Sequence, residues 1–184
     1  MNIALAHDPG GKVRLKLQPG VTGSADFSEC MRYRQALYRS WVQPGELQRY
    51  ALFIGMNPST ADGDVDDPTV RREIEFAKRL GMNALIKCNV MDYRATKPKD
   101  LRAPGVKPCS EANLVAIICH AAKAEKIVCA WGSIPKPLQR HVEDVAGILR
   151  ASGKELWSFG TTKDGSPRHP LYLRKDTELA TFLP

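Results

Sequence analysis

Over most of the chain, short apolar runs alternate with segments of helical period. Residues 50–54 form an apolar run ending at Gly55, the pattern of a buried parallel strand. Asp67-Pro68 opens a helix: Asp67 can accept from the free N–H groups of the first turn, and Pro68 suits the first helical position. Val70, Ile74, Ala77 and Leu80 then share one face, and Gly81 closes the helix. Residues 84–90 form a second strand. Ser110 is predicted to cap a helix running to about Lys123, and residues 126–131 form a third strand that ends at Gly132. A further helix is expected over 136–151, with Leu138, Val142, Val145 and Leu149 facing inward, followed by a fourth strand over 155–159.

This β-α-β-α-β-α-β order predicts a three-layer α/β fold, a four-stranded parallel sheet with helices on both faces. Residues 46–184 would be the α/β core of a single domain, with 1–45 as an N-terminal β extension. In the extension, Gly10-Gly11, Pro19-Gly20 and Gly23-Ser24 mark turns, while Val13, Leu15 and Leu17 alternate with basic residues as in an edge strand. The stretch 27–41 carries Tyr33, Leu37, Tyr38 and Trp41 among Arg32, Arg34 and Arg39, and its pattern suits strand or helix equally. Pro44-Gly45 then breaks the chain.

Composition narrows the class. With 184 residues, 43% hydrophobic and 26% charged, the chain has the make-up of one globular domain, which excludes disordered and collagen-like chains. No apolar run approaches the ~18–20 residues needed to cross a bilayer, so no membrane partner is expected. The first ten residues lack a basic segment followed by an apolar core, so no secretory signal is expected either. The five cysteines (30, 88, 109, 119, 129) are odd in number and contain no C-x-x-C pair, which speaks against a disulfide framework or a zinc knuckle and for a reducing cytoplasm. The net charge of +7 favours polyanionic partners.

In parallel sheets ligands bind beyond the carboxyl ends of the strands, so the chemistry is expected there. The first strand is followed by Gly55-Met56-Asn57-Pro58-Ser59-Thr60, the second by Asn89 and then Asp92-Tyr93-Arg94-Ala95-Thr96. The third is followed by Trp131-Gly132-Ser133, the fourth by residues 161–173 with Lys163, Arg168 and His169. All four ends share one rim and can line a single pocket.

Two resemblances follow from these segments. Gly55-Met56-Asn57-Pro58 resembles the first motif of the uracil-DNA glycosylase superfamily, and residues 168–173, Arg-His-Pro-Leu-Tyr-Leu, resemble its second. Asn89 falls where that family carries an Asn at the end of its second strand. A closer resemblance is to an uncharacterised bacterial and phage domain family with Asn-Pro-Ser-Thr-Ala-Asp, Asp-Asp-Pro-Thr and Pro-Arg-His-Pro-Leu-Tyr-Leu, present here at 57–62, 66–69 and 167–173.

The glycosylase resemblance implies a nucleobase- or nucleotide-binding protein that hydrolyses an N-glycosidic bond in modified DNA, without metal or other cofactor. Asn57 would hold the attacking water, His169 would donate to the departing base and Asn89 would read its edge. Met56, Pro58, Ser59, Thr60, Tyr93, Arg94, Trp131, Lys163 and Arg168 would complete the substrate site. The sequence departs from the family after Pro58, where Ser59-Thr60-Ala61-Asp62 replaces a Gly-rich, aromatic-bearing loop, so an aromatic must come from elsewhere, with Tyr93 and Trp131 as candidates. Tyr93 and Tyr172 interleave with basic loop residues as in single-strand binders. Other readings stay open: Asn57-Pro58 as a turn, His169 and Asn89 as structural residues, a non-catalytic nucleic-acid or nucleotide module, and a metal-assisted enzyme on a small phosphorylated metabolite. For the last, Asp62, Asp64, Asp66 and Glu73 have EF-hand-like spacing, but Asp67 stands where that loop needs Gly.

Overall fold

The computed structural model describes residues 14–184. In chain order these form β1 (Leu15–Lys16), β2 (Thr22–Phe27), β3 (Arg34–Ser40), β4 (Tyr50–Gly55), β5 (Val65–Asp66), α1 (Pro68–Arg79), β6 (Ala84–Asn89), α2 (Asn113–Lys123), β7 (Lys126–Cys129), α3 (Gln139–Ala151), β8 (Leu156–Ser158) and β9 (Ala180–Thr181). Short 3-10 turns lie at Pro98–Arg102, Lys136–Leu138 and Pro170–Tyr172.

Seven strands make one mixed sheet in the order β2-β3-β6-β4-β7-β8-β9. The pairings β6/β4, β4/β7 and β7/β8 are parallel, while β2/β3, β3/β6 and β8/β9 are antiparallel. The α/β class expected from the sequence is present, but the sheet is wider than four strands and is not purely parallel. The β2–β3 hairpin escapes a pattern reading for a physical reason. Two of the residues that β3 buries are Arg34 and Arg39, so apolar–polar alternation fails where a strand exists. At the other edge, β9 has only two residues. Leu15 lies in β1, which pairs with β5 outside the main sheet, whereas Val13 and the turn at Gly10-Gly11 lie outside the described residues.

The strands alternate between two apolar layers. Ala51, Phe53, Leu85 and Val128 pack with Val70, Ile74, Phe76 and Ala77 of α1. Leu52, Ile54, Ile86, Cys88, Ile127 and Cys129 pack with Ile117 and Ala121 of α2 and Val145 and Leu149 of α3. Cys88 and Cys129 therefore serve as small core hydrophobes, and burial pushes both thiols upward, Cys88 to about 12. No helix among the described residues is long and apolar enough to cross a membrane.

Helix ends follow local chemistry. Asp67 caps α1, its Oδ1 accepting from the Val70 N–H at 2.9 Å, with Pro68 in the first turn. Ser110 does not cap α2, which starts at Asn113; its backbone N–H donates to Asp92 instead, and its hydroxyl also bonds that carboxylate. The buried Asp92 competes better than the helix terminus because a carboxylate so placed must find donors. Lys136–Leu138 is a 3-10 turn rather than the first turn of α3.

Candidate functional site

The carboxyl ends of β4, β6 and β7 converge beside the first turn of α1 and the turn at Pro170–Tyr172. Between them lies a cleft of about 520 Å³, within the usual range for small-molecule sites. Its construction depends on two glycines. A Cβ on Gly55 would lie 2.9 Å from Asn89 Oδ1 and 3.3 Å from Lys87 Nζ, so the bare backbone lets those side chains cross the end of β4. Gly132 turns the chain at φ +69°, a conformation costly for other residues, and brings the loop against the His169 side chain.

Asn57 and His169 line this one cleft although 112 positions separate them in the chain, 169 − 57. Asn57 Nδ2 donates to the carbonyls of Pro58 at 2.9 Å and Ala95 at 2.6 Å. With the NH₂ group so held, Oδ1 is the remaining polar atom of the side chain, and it can only accept. His169 Nδ1 accepts from the Leu171 N–H at 3.4 Å, which assigns the ring proton to Nε2 in the neutral form. Burial, reinforced by Lys87 and opposed by Asp67, holds His169 at about 4. At neutral pH it is therefore an uncharged hydrogen-bond donor rather than an acid.

Charged side chains line the same cleft. Lys87 is 5% exposed and its Nζ lies 2.5 Å from Glu73 Oε1. Arg34 is fully buried; its Nη1 donates to the Ala61 carbonyl at 2.7 Å, while Nε and Nη2 have no hydrogen-bond partner. Burial lowers Arg34 to about 10, against the pull of Asp67. Asp67 lines the cleft as well as capping α1.

Of the residues singled out from the sequence, Asn57, His169, Met56, Ser59, Thr60 and Trp131 line the cleft, and six others do not. Asn89 is fully buried behind Gly55, and neither of its amide atoms has a partner. Pro58 is buried, and its carbonyl accepts from Asn57 and from the Ala95 N–H. Tyr93 packs edge-on against Tyr33 at 5.5 Å, and Arg94 lies over the Phe27 ring at 4.9 Å, because both turn toward the β2–β3 hairpin. Lys163 is exposed; so is Arg168, whose Nε donates to the Thr161 carbonyl at 3.1 Å.

Two aromatics line the cleft: Tyr172, 84% exposed with its ring 5.8 Å from that of His169, and Trp131, which is buried and packs edge-on to Phe182. The acidic loop is occupied internally. Asp62 Oδ1 accepts from the N–H groups of Asp64 and Val65, and Asp66 binds Arg39 at 2.7 Å and Arg71 at 2.6 Å. No group of three or more His, Cys, Asp or Glu side chains among the described residues is arranged to hold a metal ion. Arg34 and Lys87 escaped the sequence reading. For Lys87 a signal existed: the one charged residue in the mostly apolar run 84–90.

Neither the curated proteins nor the solved structures contain a match to this chain. Residues 32–171, most of its 184 residues, match the family described as "Protein of unknown function (DUF1643)". The chain belongs to that uncharacterised family.

Proposed function

We propose that the cleft binds a nucleobase-bearing ligand, a nucleotide or a modified nucleic acid, and that the protein hydrolyses its N-glycosidic bond. The observation that carries this reading is the meeting of Asn57 and His169 in one cleft, each with one polar atom, Nδ2 and Nδ1, held by the backbone. The motif resemblance to uracil-DNA glycosylases, carried by the segments that hold these two residues, points the same way.

The chemistry follows from those functions. Asn57 Oδ1 accepts from a water molecule and orients it toward C1′. The water oxygen bonds to C1′ while the C1′–N bond breaks, its electron pair leaving with the base. His169 Nε2–H donates to the departing base where negative charge develops, and as a neutral imidazole it stabilises that charge by hydrogen bonding while keeping its proton. The Asp67 carboxylate offsets the positive charge on the sugar. The water's surplus proton passes to the released base through solvent. Tyr172, exposed beside His169, offers a face on which a base stacks.

Chromatography of products from a panel of nucleosides, nucleotides and single- and double-stranded DNA with modified bases tests the reading. Free base is expected from at least one class, and its oxygen-labelled sugar product in labelled water identifies attack at C1′. Saturable binding without product supports a non-catalytic nucleotide-binding module instead. Neither binding nor product removes both readings.

A further inference from the structure

We propose that Arg34 and Lys87 form a buried receptor for a terminal phosphate, so that the ligand of the cleft is a phosphate monoester. This rests on the cleft being a nucleotide site, as above, and names which end of the ligand enters deepest.

Arg34 lines the cleft, is fully buried and leaves Nε and Nη2 without partners. Those two nitrogens are adjacent donors on one side of a planar fork, the geometry that grips two oxygens of an oxyanion. A buried, unpaired guanidinium edge is costly, and a ligand oxyanion is the group that satisfies it best. Lys87 lines the same cleft and is nearly buried. Its Nζ donates to Glu73 and, as an ammonium, carries two further N–H donors. Glu73 balances the Lys87 charge and Asp67 draws on Arg34, but Asp67 also caps α1, where the helix terminus takes up part of its charge. The unpaired donors on Arg34 and Lys87 exceed what the two oxygens of a carboxylate can engage one to one, and they suffice for all three terminal oxygens of a phosphate monoester.

Burial decides the type of phosphate. An internal phosphodiester has chain on both sides and needs an open groove, whereas Arg34 is 0% and Lys87 5% exposed. Only the end of a ligand reaches such a depth. The monoester then belongs to a free nucleotide or to the phosphorylated end of a strand.

Calorimetric titration of the full chain with inorganic phosphate tests the receptor without presuming a base. Saturable binding at one site is expected, weakened roughly tenfold or more in Arg34→Lys, which keeps the charge and loses the fork. Displacement of phosphate by a mononucleotide, by a 5′-phosphorylated oligonucleotide or by both identifies the source, and an unphosphorylated oligonucleotide should displace none. Absence of saturable phosphate binding, or equal binding by Arg34→Lys, overturns the receptor. Should Arg34→Lys fail to fold, the wild-type titration decides alone. Base release from unphosphorylated nucleosides at the same rate as from their monophosphates would also overturn it while leaving the glycosidic reading intact.

Discussion

Asn57 Nδ2 donates to the carbonyl of Ala95 at 2.6 Å, so the turn after β4 is fastened to the loop after β6 by a residue that also lines the cleft. Replacing Asn57 by Ala removes the side-chain amide, while the Pro58 carbonyl keeps its hydrogen bond from the Ala95 N–H. Base release should fall by about 10²–10³-fold in kcat, the scale of losing one positioned polar group at a reaction centre. Thermal unfolding and steady-state kinetics together check this. A drop in kcat that merely tracks a loss of folded protein would assign Asn57 a structural role.

The His169 assignment makes a pH prediction. Its folded-state value of about 4 lies below the ordinary 6.5, so between these values the unfolded chain binds the proton first. Its stabilising contribution is complete above about pH 6.5 and is lost as the pH falls toward 4. Urea midpoints should decline over that window, and less steeply in His169→Gln. Base release should stay independent of His169 ionisation from pH 8 to 5. A fall in rate centred near 6.5 that vanishes in His169→Gln would contradict the neutral-donor role.

Asp67 caps α1 and lines the cleft, and one substitution separates the cap from the charge. Asn caps helices about as well as Asp, so Asp67→Asn should keep the cap while removing the charge from the cleft and from beside the buried Arg34. Turnover should drop at least roughly tenfold, the scale of an ionic hydrogen-bonding group in a low-dielectric site. Asp67→Ala should cost in addition about 1 kcal/mol of stability from the lost cap. Equal turnover in wild type and Asp67→Asn would confine Asp67 to capping.

The Lys87–Glu73 pair predicts a non-additive stability pattern. Lys87→Met leaves the fully buried Glu73 carboxylate uncompensated, at a cost of about 3–5 kcal/mol. Lys87→Met with Glu73→Leu should recover most of it, because an apolar pair of similar volume replaces two buried charges. Chemical denaturation of wild type, Lys87→Met, Glu73→Leu and the double variant measures this coupling, and simple additivity of the two single effects would contradict it.

Much of the core was legible because it obeys simple periods. The apolar runs at β4, β6 and β7 and the face of α1 formed by Val70, Ile74 and Ala77 are buried as their spacing requires. The cap at Asp67 follows from its place before Pro68. The β3 strand was not legible, since Arg34 and Arg39 are spent inside the fold and charged residues in a strand read as surface. The same fact hid Arg34 as a cleft residue: local pattern marks where a strand ends but not which neighbouring strand lends a side chain to that end. Tyr93 and Arg94 show the converse, for they occupy the right loop yet turn toward the hairpin that periodicity could not resolve.

A crystal structure of the protein soaked with a nucleobase or a nucleoside monophosphate tests the central claim most directly. The account predicts a base in the cleft with a ring atom within about 2.6–3.2 Å of His169 Nε2, and Asn57 Oδ1 bound to a water or facing the glycosidic position. A ligand seated elsewhere on the molecule, or in the cleft without touching either residue, would contradict it.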